Sequence, residues 1–221
     1  MNESRGITQP GRSRVIGQCD ALAIVHWFDF ICPFCYITQD WDALIFARGI
    51  DVVSLALRAH PEIPPARVHV GPRHGPTYRN IEARARAADL ALNWPSRLPS
   101  SGSALDAAEW VRRNRPTISR DFNTALFEAH FVLNEDVGDK ATILRKAKQL
   151  GLDTAALDAC LEDGSAAGWL RESEAMAYEY GVRLHGSIAA GFWRALSPSM
   201  SFRASCRPSR RSNPMRSRLQ P

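Results

Sequence analysis

The chain has 221 residues, 45% of them hydrophobic and 23% charged, with a mean hydropathy of −0.25. That length buries a real core without disulfide staples, and no apolar run approaches the ~18 residues that span a bilayer, which excludes a membrane protein. The formal charge of +5 belongs to one end: eight of the 28 basic residues and none of the 23 acidic ones follow Gly181, so the body is slightly acidic and a nucleic-acid partner is not expected of it.

In chain order, "MNESRGITQPGRSRVIGQ" carries charge and turn formers but lacks the apolar stretch of about 7 to 15 residues that a secretory signal needs. Residues 1–19 therefore read as a disordered segment, and the protein is expected in the cytoplasm. "DALAIVHWFDF" (20–30) mixes β-branched and aromatic residues and predicts a buried strand. Pro33 cannot extend that strand, but it suits the first turn of a helix, where a missing N–H costs nothing. From there Tyr36, Ile37, Trp41, Leu44 and Ile45 or Phe46 fall at helical spacing, with Gly49 as the stop. "IDVVSLALRAH" (50–60) alternates Val53, Leu55 and Leu57 with small or polar neighbours and predicts a second strand. Together these form a strand, helix, strand unit with a right-handed crossover between parallel strands.

The texture changes at "HPEIPPARVHVGPRHGP" (60–76), whose prolines and glycines predict loop. Helices are expected at Tyr78–Leu92, at Leu105–Arg113 with Ser103 or Asp106 as its cap, at Ile118–Val132, at Asp139–Leu150, at Asp153–Leu161 and at Gly168–Tyr180. Phe122, Leu126, Phe127 and Phe131 mark one apolar stripe, and Ile143, Leu144 and Leu150 another. The layout is an α/β domain over residues 20–182, with a strand, helix, strand start at 20–60 and a helical insertion at 76–180. From Trp193 the chain is dominated by Arg, Ser and Pro without period 2 or 3.6, and 183–221 reads as a basic, disordered tail.

"DFICPFCY" (29–36) holds the pattern that carries chemistry. Five cysteines, an odd number with only Cys32 and Cys35 close together, do not make a framework of structural bridges; in a reducing compartment such a pair is catalytic or metal-binding. At a strand-to-helix junction Cys32 would meet the unpaired N–H groups of the helix start, which stabilise a thiolate, while Cys35 lies one turn in, within reach to resolve a disulfide. Two competing readings are a pair of buried structural thiols and half of a zinc site. Zinc wants four ligands, and Cys160 and Cys206 stand alone while His60, His69 and His74 are irregularly spaced in a loop.

"DFICPFCYI" after a short strand, "RAHPEIPP" ending the second, and "LFEAHF" and "AKQLGLD" in the helical stretch resemble the DsbA-like thioredoxin oxidoreductases, most closely the FrnE-like subgroup, which also resembles 2-hydroxychromene-2-carboxylate isomerases in fold. The resemblance covers residues 20 to 182. It implies a thioredoxin-like fold with a large helical insertion, and thiol-disulfide exchange in which Cys32 attacks, Cys35 resolves, and Pro33 and Phe34 tune the potential. No metal or organic cofactor is implied; glutathione or a protein dithiol would be the redox partner, and a protein or small-molecule thiol or disulfide the substrate. The isomerase relatives typically carry serine where this chain has Cys32, which favours redox chemistry over the alternative of a glutathione-dependent isomerase or transferase.

One departure stands out. In this family a Gly-Val-x-Gly-Val-Pro run with a cis proline leads into two closing strands. Here "EYGV" (179–182) is in register with it, but "RLHGSIAAGFW" follows and no proline appears until Pro198. The closing strands are thus expected to be missing or replaced, by a frame-shifted C-terminus or by a divergent basic tail. The frame-shifted case leaves an inactive truncated family member as a third reading.

Overall fold

The computed structural model describes residues 23–182 and 192–196. Strands β1 (Ala23–Phe28) and β2 (Asp51–Ala56) pair in parallel, from Ala23 opposite Asp51 to Phe28 opposite Ala56. The crossover between them is not the single helix that the apolar spacing predicts. It breaks at Thr38 into α1 (Pro33–Ile37) and α2 (Gln39–Ala47). The Thr38 hydroxyl lies 2.9 Å from the Phe34 carbonyl oxygen and 3.2 Å from that of Cys35, competing for acceptors that a continuous helix gives to backbone N–H groups. Gly49, at φ 82°, stops α2 as expected.

A third strand, β5 (Phe192–Leu196), runs antiparallel along the other side of β1, from Ala23 opposite Leu196 to Trp27 opposite Phe192, giving the order β2-β1-β5. This corrects the reading of a disordered tail for these five residues: the free side of β1 presents a row of N–H and C=O groups that need partners, and "FWRAL" has the aromatic content to supply a strand. The predicted segment 1–19 and the remainder of 183–221, with Cys206, lie outside the described residues.

The insertion follows the predicted order. A two-residue ladder joins β3 (Val68–His69), inside the expected loop, to β4 (Arg97–Leu98) around α3 (Pro76–Ala87). Then come α4 (Gly102–Asn114), a 3-10 turn (Pro116–Ile118), α5 (Ser119–Phe131), α6 (Lys140–Gln149), α7 (Thr154–Glu162) and α8 (Ser165–Glu179). Phe122, Leu126, Phe127, Phe131 and Ile143 are buried, as their stripes require. The cap expected for α4 is corrected: its N-cap is Ser101, with no side-chain capping bond. Neither Ser103 nor Asp106 takes that role, because the helix begins at Gly102, three residues before the expected Leu105.

Strand alternation divides the core in two. Val25, Trp27, Leu55 and Leu57 pack on Ala177 at the end of α8 and on Val182. Phe28, with Phe30 and Ile31 beyond it, enters the larger cluster built by α1, α3, α4, α5, α6, α7 and α8. Side chains close the outer edge of β2 where it passes under the helices. The Ala56 N–H donates to Glu109 Oε1 at 3.0 Å, its carbonyl accepts from Ser173 Oγ at 2.6 Å, and Trp27 Nε1 donates to the Ser173 carbonyl at 3.3 Å. Beyond the strand, Arg58 makes a two-pronged pair with Glu174 at 2.9 and 3.2 Å.

Two stability predictions come from this seam. Glu109→Ala strands the buried Ala56 N–H and unpairs Arg112, and is expected to cost about 2–4 kcal/mol in urea unfolding, with Glu109→Gln costing less because Oε1 is kept. Asp106, whose Oδ1 has no hydrogen-bond partner among the described residues, has its carboxyl pushed up to about 6 by burial. The folded form then holds the proton more tightly than the unfolded chain, so this stabilisation is full below the ordinary value of 3.8 and is lost as pH rises through 6. Asp106→Asn should be nearly neutral at acid pH and stabilising by about 1 kcal/mol at pH 7.5, a value discounted for the part of the side chain that solvent screens. Equal effects at both pH values would overturn that assignment.

Candidate active site

The turn after β1 carries both cysteines of the predicted motif to the start of α1, where Cys32 is the N-cap and Pro33 the first helical residue. The Cys32 N–H donates to the Asp29 carbonyl at 3.0 Å, and the Cys32 sulfur accepts the Cys35 N–H at 3.4 Å. Cys32, Pro33 and Phe34 are half-buried, whereas Cys35 is buried, and no disulfide joins the pair. A half-buried cysteine on the cap with a buried partner one turn in is the asymmetry that separates an attacking thiol from a resolving one.

The electrostatics follow that geometry. The Cys32 thiol is held below its ordinary value, first by the hydrogen bond from the Cys35 thiol and then by the N–H groups of Cys35 and Phe34, against burial and the Asp29 charge, which act the other way. Cys35 moves in the opposite direction, because its proton is committed to Cys32 and because it is buried. The two shifts make Cys32 the more acidic of the two thiols.

Asp29, not His26, is the ionisable group that reaches the sulfurs. His26 points toward α2, with Nδ1 2.8 Å from Asp42 Oδ2. Asp29 is almost fully buried; its Oδ1 accepts the Ile31 N–H at 3.2 Å and its Oδ2 the Ala59 N–H at 2.7 Å, and its third partner is the Ser101 side chain. Burial raises its carboxyl above the ordinary carboxylate range, and the three hydrogen bonds oppose that rise. The sequence held a signal for this role: Asp29 is the only charge in the apolar run "WFDFICPF".

Aromatic packing fixes the turn that carries the cysteines. The Tyr36 ring stacks on Phe131 with centroids 4.9 Å apart, Phe127 lies edge-on to Phe30 at 5.0 Å, and Phe28 meets Phe30 at 5.2 Å. The Tyr36 hydroxyl donates to the Ala91 carbonyl at 2.5 Å. Trp27, Phe28 and Phe30 are therefore core, and Cys160 on α7 is a buried thiol 2.9 Å from Oγ of Ser165, the first residue of α8. Beside α1 an open groove of about 360 Å³ is lined by Ile37, Thr38, Trp41, Leu44, Arg84, Ala87 and Ala88.

No group of three or more His, Cys, Asp and Glu that could hold a metal ion occurs among the described residues. His60 pairs with Glu62 at 2.9 Å, and His69 belongs to β3. Arg79, Arg84 and Arg86 are exposed on α3 as a solvated face. No helix of the described residues is long and apolar enough to cross a membrane.

The family model of the DSBA-like thioredoxin domain matches residues 23–183. Among solved structures, the probable DsbA oxidoreductase SCO1869 from Streptomyces coelicolor superposes with a TM-score of 0.65 at 19% identity, covering 81% of this chain and 82% of that one. 2-Hydroxychromene-2-carboxylate isomerase gives 0.58 at 19%, covering 76% and 88%. The cytosolic disulfide reductase DsbM from Pseudomonas aeruginosa, solved with GSH, gives 0.57 at 18%, covering 79% and 89%. The fold is thus DsbA-like thioredoxin with a helical insertion.

The unequal sulfurs generate a prediction in alkylation. Followed by mass spectrometry on the peptide that carries the motif, alkylation of Cys32 by iodoacetamide should reach half its maximal rate below the pH expected of a free cysteine, should be absent from that peptide in Cys32→Ser, and should leave Cys35 unlabelled in the folded protein. Equal labelling of both sulfurs would contradict the asymmetry.

Proposed function

The chain belongs to the DSBA-like thioredoxin domain family, and from that premise we propose that it is a thiol-disulfide oxidoreductase working through Cys32-Pro-Phe-Cys35. The observation that carries this reading is the half-buried Cys32 sulfur on the helix cap, held as the better thiolate by a buried Cys35. In the reducing direction the Cys32 thiolate attacks one sulfur of a substrate disulfide and expels the other, which leaves as a thiolate and takes up a proton. Cys35 then loses its proton, its sulfur attacks Cys32, and the second substrate sulfur is released. The substrate gains two electrons and two protons, and the protein dithiol becomes a disulfide; the reverse sequence oxidises a dithiol. The sulfurs carry both electrons, so the exchange requires no metal or organic cofactor.

The partner in this reading is a thiol or disulfide of a protein or of a small molecule such as glutathione, and the compartment is the cytoplasm. The GSH in the DsbM structure and that protein's description as cytosolic support these choices. Pro33 denies Cys32 one N–H donor, and Phe34 brings no charge, so the pair is expected to be a milder oxidant than fold relatives with a charged residue between the cysteines.

The likeness to 2-hydroxychromene-2-carboxylate isomerase keeps a second reading, a glutathione-dependent isomerase or transferase. The two separate on one variant. If exchange is the function, Cys35→Ser accumulates a mixed disulfide with glutathione or a reduced test protein on Cys32, visible by mass spectrometry, and loses at least a hundredfold in insulin reduction. Glutathione-dependent turnover that survives Cys35→Ser points to the isomerase class instead. A wild-type protein that forms no reversible disulfide at all refutes the redox reading.

A further inference from the structure

Asp29 touches the cysteine pair through its peptide group and the rest of the fold through its carboxyl. Its carbonyl oxygen takes the Cys32 N–H and its own N–H serves Cys35, so the backbone of one residue reaches both cysteines. Its carboxyl oxygens are bonded to Ile31 just before the motif and to Ala59 after β2, with Ser101 at the start of α4 as a third partner. Its carboxyl is buried three residues before Cys32, and whenever it is charged it opposes a second negative charge on either sulfur.

We propose that Asp29 is a positioning residue for the exchange reaction, the group through which the fold sets how firmly Cys32 holds its charge and hence the reduction potential of the Cys32–Cys35 pair. This rests on the thiol-disulfide reading above. The field of Asp29 raises both thiols, and burial makes that field felt. Among the described residues, Arg58 and His60 are charged or titratable groups that act on it. Arg58 is committed to Glu174 and His60 to Glu62, so neither cancels the carboxylate. The acid therefore works against the thiolate that the Cys35 hydrogen bonds favour, and it moderates the pair as an oxidant: a less stable thiolate makes the reduced form less favoured.

Linkage makes the effect reciprocal. If Asp29 hinders ionisation of Cys32, then a charged Cys32 hinders ionisation of Asp29, and forming the disulfide relieves both. Asp29 should hold its proton more weakly in the oxidised protein than in the reduced one at a pH where Cys32 is ionised.

The test measures the Cys32 thiolate by ultraviolet absorbance and the potential by glutathione titration in wild type and Asp29→Asn. The variant keeps the side-chain shape and gives up the contact to Ile31, the longer of the two carboxyl bonds to backbone. The expected result is a Cys32 titration midpoint lower by about half to one pH unit, with a threefold to tenfold shift of the glutathione equilibrium toward the reduced protein. A merely structural role would lower the unfolding midpoint while leaving the thiolate titration unmoved, and that outcome overturns the proposal. Should Asp29→Asn fail to fold, carbon-13 resonances of labelled aspartate in the unaltered protein give the same answer: the Asp29 carboxyl must titrate at lower pH in the disulfide form, and identical titrations in both forms reject the coupling. The thiolate titration is readable even if the pair never cycles, so a failure of the redox reading remains distinct from a failure of this one.

Discussion

Leaving β1 for α1 while staying buried is the constraint on which the rest depends, and the carboxyl of Asp29 meets it. Between Phe28 and Cys32 the backbone turns away from its ladder, and its polar groups lie where water does not reach. A side chain with two acceptor oxygens can take N–H groups from two directions at once, and here those directions are the turn itself and the exit from β2. Its further partner Ser101 extends the tie to α4, which explains why that N-cap spends its hydroxyl inward instead of on its own helix. Three segments far apart in sequence are thereby held to one point, three residues before the outer sulfur. Structural closure and the electrostatics of the thiols are properties of the same group.

Around that point the helical insertion acts as a wall and not as an appendage. Phe127 and Phe131 lie one turn apart on α5 and reach Phe30 and Tyr36 on either side of the cysteine motif. A five-residue helix such as α1 has little stability of its own, so its orientation depends on this packing and on the Tyr36 hydroxyl bonded to the Ala91 carbonyl. Glu109 and Ser173 do the corresponding work at β2, giving an edge strand side-chain partners from α4 and α8. The insertion thus braces both strands that flank the site.

Much of this was legible in the residues, and the reasons for the rest are physical. The stripe Phe122, Leu126, Phe127, Phe131 sits on a 3.6 period, and an amphipathic helix is what such a period means. The Cys-x-x-Cys at a strand end was equally plain, because Pro33 marks the helix start. Three features escaped because they depend on partners distant in sequence. The break at Thr38 arises from a hydroxyl that bonds back to carbonyls, an option hidden inside an otherwise helical pattern. β5 exists through pairing with β1, and its five residues have no alternation to announce it. The direction of His26 could not be read from a strand buried on both faces, where alternation between polar and apolar residues is lost.

The break at Thr38 also bears on what lowers the Cys32 thiol. A helix running on to Gly49 would have offered many aligned peptide dipoles, and the thiolate could be credited to its positive end. With α1 only five residues long, that credit passes to particular groups: the N–H of Cys35 and of Phe34, and above all the Cys35 thiol. Pro33 narrows the choice further by removing the first N–H of the turn. Stabilisation by a few named donors is more sensitive to sequence than stabilisation by a long dipole, since the loss of one donor removes a large share. The dipeptide between the cysteines and the acid three residues before them then act on the same small set of bonds, one supplying donors and the other opposing charge. The potential of such a site is a balance struck within eight residues, "DFICPFCY", while the remainder of the fold serves to keep those residues still.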